Sequence, residues 1–493
     1  MPYAITQSCC SDASCVAVCP VNCIHPTPEE RAFGNTDMLY VDPDTCISCG
    51  ACSDACPADA IHPIESLTGA LQDYAAINAA YFEDIPTAAA AGPLFHNWEP
   101  PEPTRTLPSA AKPLRVAIVG TGPAGMYAAE DLLLHTNAEV TLIDRLAQPG
   151  GLLRYGVAPD HLATRRITNR FTRFHNHPRA RSLLGVDVGA TLTNDDVLAH
   201  HDAVIYAVGS TADRRLGIPG EDLPGSLAAR DIVSWYNAHP DAAPVDLPDG
   251  RVVIAGSGNV ALDVARILAA DPATLTDTEI AEGALSALFS HTDREIVVLT
   301  RRGPADAAYT LPELHELKNL PGVQLVVDPR GAEEIATSTH PKAVALRDVR
   351  QEAINWQADP TSGRRIVLRF HSTPTDLVPD GPRLGSVRLA DGELVKASLF
   401  IRSIGYRGTP IPGLPFDDAT AVVPNTAGRV TDRPGTYVVG WIKRGPTGGI
   451  GTNRTCAAET VTALLEDAAA GRLTTPRRST RRFHRLAKRA RRT

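Results

Sequence analysis

Beyond residue 56 this chain of 493 residues has one cysteine, Cys456. That scarcity excludes a disulfide framework or a redox C-x-x-C pair from most of the sequence. No apolar run approaches the ~20 residues of a membrane-spanning helix. The opening MPYAITQSCC has neither the basic nor the apolar stretch of a secretory signal. These absences give the expectation of a cytoplasmic protein whose thiols stay reduced. Bases are scarce at one end and acids at the other. Residues 1–105 hold 14 acids and 2 basic residues, whereas 472–493 hold ten Arg and Lys and no acid. The formal charge of −8 thus conceals an acidic head and a basic tail. Such asymmetry speaks to partners rather than to fold. The tail can bind nucleic acid, an anionic membrane or an acidic protein. The preferred reading is a disordered solubilising tail, and no clear nucleic-acid signal accompanies it.

What the first 62 residues do have is cysteine. "CISCGACSDACP" puts Cys46, Cys49, Cys52, Cys56 and Pro57 on the C-x2-C-x2-C-x3-C-P run of bacterial ferredoxins. "CCSDASCVAVCP" puts Cys9, Cys15, Cys19 and Pro20 on the same run, but Asp12 stands at its second position and Cys10 is extra. In two-cluster ferredoxins the fourth cysteine of each run serves the other cluster. Cys19, Cys46, Cys49 and Cys52 are therefore expected to hold a [4Fe–4S] cluster, and Cys9, Cys15 and Cys56 the other. Paired C-x2-C motifs also suit zinc, but the C-x3-C-P endings argue against it. Residues 1–105 resemble the seven-iron and eight-iron bacterial ferredoxins. Seven-iron members lack the second cysteine of the first run and carry [3Fe–4S]. Three outcomes stay open for the first cluster: [3Fe–4S] on three cysteines, [4Fe–4S] completed by Asp12, or completion by Cys10. The first is favoured, or a [4Fe–4S] cluster that readily loses one iron, because a carboxylate suits iron–sulfur bonding less well than thiolate. Cys23 is read as a surplus buried thiol.

Residues 113–471 alternate strand-like and helix-like segments, which favours an α/β architecture. "LRVAIVGTGPAGMYAAEDLL" gives a strand, then Gly120-x-Gly122-x-x-Gly125, then a helix. This is a dinucleotide fingerprint in its proper context. The next strand ends at Asp144, whose carboxylate can accept from ribose hydroxyls. A second turn, "GRVVIAGSGNVALDVARIL", carries Gly256 and Gly258, with Ala261 where a third glycine can stand. Its following strand, "REIVVLTRRG", ends in Arg301 and Arg302 rather than an acid, favouring a 2′-phosphate and hence NADP(H). The long gap to those arginines makes 270–292 an insertion. A closing Gly-rich loop precedes a helix beginning near Thr452, aimed with its positive end at an anionic ring.

The pieces "GTGPAGMYAA", "GGLLRYGVAPDH", "GSGNVALDVARIL", "TRRGP" and "GWIKRGPTGGIGTN" resemble the adrenodoxin-reductase family of ferredoxin–NADP reductases over about 113–470. With its cysteine-rich head the whole chain resembles the ferredoxin/ferredoxin–NADP reductase fusion proteins. That resemblance implies an α+β ferredoxin domain followed by an α/β flavoprotein of two dinucleotide-binding domains. Its expected parts are a ferredoxin core in 1–62 and an extension and linker in 63–112. FAD-binding segments follow in 113–212 and 397–471, with an inserted NADP-binding domain in 213–396 and the basic tail in 472–493. The resemblance assigns Ala124, Asp144, Leu152, Trp441, Gly448, Gly449 and Ile450 to FAD. It assigns Gly258, Asn259, Val260, Arg301, Arg302 and Glu313 to NADP, and His161 and Glu316 to a pair near the nicotinamide. Asp144 replaces the family's usual Glu and shortens the reach to the ribose. The implied activity is NADPH–ferredoxin oxidoreduction: hydride to FAD, then single electrons through the fused clusters to a ferredoxin or other one-electron acceptor, or the reverse. The alternatives are an electron-storage or redox-sensing protein, or a small-molecule reductase with an internal cluster relay.

Overall fold

Strand Arg115–Val119 reads RVAIV, with no polar residue after its first, and Val116, Ala117 and Ile118 are fully buried. Continuous apolar strands belong inside parallel sheets covered on both faces. The computed structural model, which describes residues 2–33, 36–83, 112–290 and 294–491, contains two such sheets. They lie in two compact units. One unit comprises Met1–Val157, Ala163–Ala212 and Tyr406–Thr493; the other comprises Ala158–Leu162 and Asp213–Gly405.

In the first unit the sheet runs, edge to edge, through Asn425–Thr426, Arg429–Val430, Thr436–Val438, Ala203–Tyr206, Arg115–Val119, Glu139–Asp144 and Ala180–Leu184. The last five are parallel. Strand order reverses on either side of Arg115–Val119, and ligands of open α/β sheets bind at the carboxyl ends of strands at such a point. The cysteine-rich head belongs to this unit. Tyr3–Ile5 pairs antiparallel with Ile61–Pro63, and Ile24–His25 with Tyr40–Val41. Helix Asp73–Glu83 packs on them through buried Asn78. Asn78 Oδ1 accepts from the backbone N–H of Ile5 (3.1 Å) and of Val41 (2.9 Å), and its Nδ2 donates to the carbonyls of Ile5 and Tyr74. A buried amide with both ends satisfied fixes the helix to both strand pairs. The proline-rich stretch read as a linker lies mostly in 84–111, outside the described residues.

The second unit has a seven-stranded sheet in the order Ser226–Ala228, Leu399–Arg402, Arg251–Ala255, Arg294–Leu299, Arg364–Arg369, Gln324–Val327 and Arg350–Gln351, every pair parallel. Arg251, Glu295 and Arg365 sit side by side on three adjacent strands and form a buried ion-pair ladder, with Glu295 fully inaccessible. The insertion places a short 3-10 turn, Pro272–Leu275, and helix Glu282–Phe289 ahead of strand Arg294–Leu299.

The basic tail corrects the sequence reading. Residues Thr480–Ala490 form a helix, and Phe483 and Ala487 are completely buried. Phe483 meets the imidazole of His201 edge-on at 4.9 Å and lies 5.4 Å from that of His200. The apolar residues Phe483, Leu486, Ala487 and Ala490 recur at helical spacing and dock on the core between strongly charged neighbours. Burial pulls His201 down to about 4, so it is neutral beneath the helix. Among the described residues no helix is long and apolar enough to cross a membrane.

Candidate functional site

In the first unit, the Gly120 turn follows strand Arg115–Val119. Gly120 has φ +106°, and a Cβ there would stand 2.4 Å from the Ala207 carbonyl oxygen. A Cβ on Gly125 would stand 2.0 Å from the Gly120 carbonyl oxygen, so helix and turn close only on glycine. Gly122 precedes helix Pro123–His135, with Pro123 in its first turn. The second Gly-rich loop comes to the same place. Gly440, at φ +77°, faces Ala124 so closely that a Cβ would lie 2.6 Å from that residue's own. Trp441 Nε1–H donates to the carbonyls of Thr447 and Gly448, tying the loop around Gly448 and Gly449. Gly449 has open space beside it, and Ile450 is half-buried before helix Thr452–Ala469. Gly151 backs onto Gly122, and Leu152 beside it is 39% exposed. Asp144 is committed inward: it accepts from Thr121 N–H (2.8 Å), Thr121 O–H (2.6 Å) and Leu146 N–H (2.9 Å).

The second unit repeats the device. Gly256 has φ +111° and packs on the Ser403 carbonyl; a Cβ on Gly258 would meet nothing within 4 Å. Gly258 opens helix Asn259–Ala269, whose first backbone N–H groups can cradle phosphate. Asn259 exchanges hydrogen bonds with Thr310, donating from Nδ2 and accepting the Thr310 N–H, while Val260 is half-buried. Leu299 pairs in register with Ala255, so Arg301 and Arg302 follow on the strand beside the turn. Both are exposed, and neither makes an ion pair among the described residues.

His161 and Glu316 meet within this second unit, His161 Nε2 lying 2.8 Å from Glu316 Oε2. Sequence reasoning missed the rest of the cluster. Arg266, almost wholly buried, reaches Asp160, Asp263 (2.5 Å) and Glu316 (3.4 Å), and stands 2.8 Å from the same imidazole nitrogen. One nitrogen cannot donate to Glu316 and accept from Arg266 at once. Burial pulls the His161 imidazolium down, but the Glu316 hydrogen bond and the charges of Asp263, Glu316 and Glu313 outweigh it and push His161 up to about 10. A charged ring donates, so Nε2–H goes to Glu316, and Arg266 is held by its carboxylates. Glu313 comes within 4.8 Å of this pair, and its Oε2 has no hydrogen-bond partner among the described residues. Burial, then the charge of Glu316, raises the Glu313 carboxyl. Asp263 and Arg266 are i,i+3 neighbours on the helix after Gly258, a spacing that puts them on one face.

In the head, Cys19, Cys46, Cys49 and Cys52 line one small pocket together with Tyr3, Val21, Cys23, Ile47 and Gly50. Cys23 Sγ is 3.4 Å from Cys19 Sγ, and a hydrogen bond from it holds Cys19 down to about 5, while burial pushes Cys52 up to about 11. Cys9, Cys15 and Cys56 lie close enough to repel as thiolates, and burial raises all three. Two convergent sets of thiols, with Cys15, Cys19 and Cys52 buried and Cys49 exposed, suit iron–sulfur clusters, whose iron neutralises the thiolate charge. Asp12 is buried, with Oδ1 accepting the Ser14 N–H (3.1 Å) and Oδ2 the Ser14 O–H (2.6 Å). Cys456, the lone distant cysteine, is buried and accepts the Gly440 N–H.

Residues 39–62 match the 4Fe-4S binding domain, and 114–302 match the pyridine nucleotide-disulphide oxidoreductase family. The chain is 48% identical, over 97% of its length and 85% of the relative's, to a Mycobacterium tuberculosis protein named "Probable ferredoxin/ferredoxin--NADP reductase". It is 43% identical to the NADPH-ferredoxin reductase FprA of that organism, over 72% of this chain and 84% of the other. The solved structure of M. tuberculosis FprA in complex with NADPH superposes with a TM-score of 0.69 at 38% identity, covering 77% of this chain and 90% of that one. Cysteine-rich head, paired glycine turns and full-length likeness agree, and the chain belongs to the ferredoxin/ferredoxin–NADP reductase family.

Proposed function

We propose that this chain is an FAD-dependent NADPH–ferredoxin oxidoreductase that carries its own iron–sulfur domain. One observation carries the reading: the cysteine-rich head and the paired Gly120 and Gly440 loops belong to a single compact unit. When bound, FAD accepts a hydride from NADPH as two electrons and a proton and returns the electrons singly to iron–sulfur centres. The residues fit that cofactor. Gly122 and the first turn of Pro123–His135 would take its pyrophosphate, Leu152 would cover its apolar surface, and the Gly448–Ile450 loop would approach its ring. Asp144, already bonded to Thr121 and Leu146, holds the shape of the turn and adds at most one further hydrogen bond to a ribose hydroxyl.

In the second unit, Gly258, Asn259 and Val260 would receive the NADP pyrophosphate, and Arg301 and Arg302 its 2′-phosphate. The charged His161, fixed by Glu316, would orient the nicotinamide carboxamide. Glu313, unsatisfied beside it, is free to accept from the carboxamide amine. In the head, Cys19, Cys46, Cys49 and Cys52 would hold [4Fe–4S], and Cys9, Cys15 and Cys56 would hold the other cluster as [3Fe–4S]. The partners are NADPH and an external ferredoxin-type one-electron carrier.

Two measurements test this. Anaerobically purified protein should contain FAD and seven irons, with a [3Fe–4S] EPR signal in the oxidised state; eight irons and no such signal after mild oxidation overturn the cluster assignment. Replacing Arg301 and Arg302 together by alanine should raise the NADPH KM about a hundredfold, the loss of two charge-assisted hydrogen bonds of about 1.5 kcal/mol each, and leave NADH untouched. An unchanged NADPH-to-NADH ratio overturns the 2′-phosphate assignment.

A further inference from the structure

The Cys9–Cys15 loop has a second set of contacts that cluster binding does not explain. Its backbone is pressed against the start of helix Thr452–Ala469. The Gly451 N–H donates to the Cys10 carbonyl at 2.7 Å, and a Cβ on Gly451 would lie 2.2 Å from the Ser11 carbonyl carbon and 2.4 Å from the Asp12 nitrogen. Gly451 has an ordinary helical φ of −64°, so only close approach demands glycine here. On the other side, Ser11 and Ala13 adopt left-handed φ values of 53° and 57°. That conformation is costly for residues with a Cβ. Here it flanks Asp12, whose carbonyl accepts from Arg454 at 3.1 Å.

Asp12 joins the two sides. Its Oδ2, already bonded to Ser14, also accepts from Arg170 Nη1 at 3.2 Å and lies 3.9 Å from Arg454. Arg170 donates its other Nη to Glu130 (3.0 Å), and both arginines reach the Ser14 hydroxyl. A buried carboxylate whose two oxygens already accept from the protein is satisfied without iron.

We propose that Asp12 is a positioning residue and not a cluster ligand. At the place where an eight-iron ferredoxin has a thiol, this chain has a carboxylate that locks the first-cluster loop onto helix Ile167–His175 through Arg170 and, with Arg454, holds it against the Ile450–Thr452 turn. This rests on the proposed function and names the first cluster as the one that takes electrons from the flavin: each transfer oxidises the flavin by one electron and reduces that cluster by one. Gly451 is the contact across which the two loops meet. The gain in exchange for the lost ligand is a fixed path in place of a diffusional encounter.

The test uses full-length holoprotein and the variants Asp12→Asn, Arg170→Ala, Arg454→Ala and Gly451→Ala. Stopped-flow with one equivalent of NADPH separates flavin reduction from cluster reduction. Hydrogen exchange reports the Gly451 amide, and EPR with iron analysis reports the first cluster. The clamp predicts that Arg170→Ala and Asp12→Asn leave flavin reduction unchanged, slow cluster reduction about tenfold and speed Gly451 exchange about tenfold, the effect of one charged hydrogen bond. The EPR signal and iron content stay as in the wild type. Arg170→Lys restores part of both rates. Gly451→Ala slows cluster reduction as well. If Asp12→Asn changes the EPR signal or iron content while Arg170→Ala and Arg454→Ala alter nothing, Asp12 is a ligand and the proposal is wrong. If every variant transfers electrons at the wild-type rate, the contact does not position the cluster. Failure of NADPH to reduce the wild-type flavin overturns the proposed function instead.

Discussion

Glu316→Gln isolates the electrostatic core of the His161 site. The folded chain holds His161 at about 10, against about 6.5 for a free imidazole, even though burial acts in the opposite direction. A gap of about 3.5 units is on the order of 5 kcal/mol in favour of the imidazolium. The Glu316 hydrogen bond is the largest of the contributions that raise it. A full charge 2.8 Å away is worth about 6 kcal/mol at an effective dielectric constant of about 20. The charges of Asp263 and Glu313 add to it, although burial raises both carboxyls. Glutamine keeps an acceptor but removes the charge, so burial weighs more heavily and His161 should titrate well below its wild-type value. The sign for stability follows from a raised folded-state value. The stabilisation is fully present below about pH 6.5 and is lost as pH rises through about 10. Wild-type unfolding free energy should therefore fall between pH 6.5 and 10, by about 5 kcal/mol at most, and Glu316→Gln should flatten that fall. Urea denaturation across the range, with NMR titration of the His161 ring, measures both. A variant that keeps the wild-type slope, or a ring still charged at pH 8.5, would refute the assignment of the charge to Glu316.

Other consequences are simpler. Glu295→Ala leaves the guanidinium groups of Arg251 and Arg365 buried and opposed, and should cost about 3–5 kcal/mol in denaturant unfolding; a loss below about 1 kcal/mol contradicts the ladder. Phe483→Ala empties a fully enclosed aromatic site and should cost about 3–5 kcal/mol of the docking of helix Thr480–Ala490. Limited proteolysis would then trim the C-terminus of the variant well before that of the wild type, and equal trimming rates count against the packing.

The architecture was legible because its signals are local. RVAIV and RVVIA announce buried parallel strands, and each ends in a glycine whose positive φ the turn requires. The cysteine spacing carried the four-thiol pocket in the same way, since ligands three residues apart must converge on one centre. What was not legible depends on contacts between distant residues. Asp12 finds Arg170 and Arg454 across 158 and 442 positions, and no spacing rule connects them. Arg266 lay within a segment read only as helix, and its role appears once Asp160 and Glu316 are folded against it. The tail is a different failure. Its helical period is present in the sequence, but the eight basic residues from Arg477 to Arg491 outnumber the few apolar positions, Phe483 and Ala487 among them, on which the helix docks.

The five residues Ala158–Leu162 have a consequence for modularity. They belong to the unit that otherwise spans Asp213–Gly405, and the Pro159 carbonyl accepts the Glu279 N–H within it. That unit is therefore not a single cassette. A fragment cut at its obvious ends would leave behind Asp160 and His161, strip Arg266 of one carboxylate and Glu316 of its imidazole. Any graft of this unit onto another reductase, in the laboratory or by recombination, has to transplant two separated stretches of chain together or deliver a nucleotide domain without its histidine.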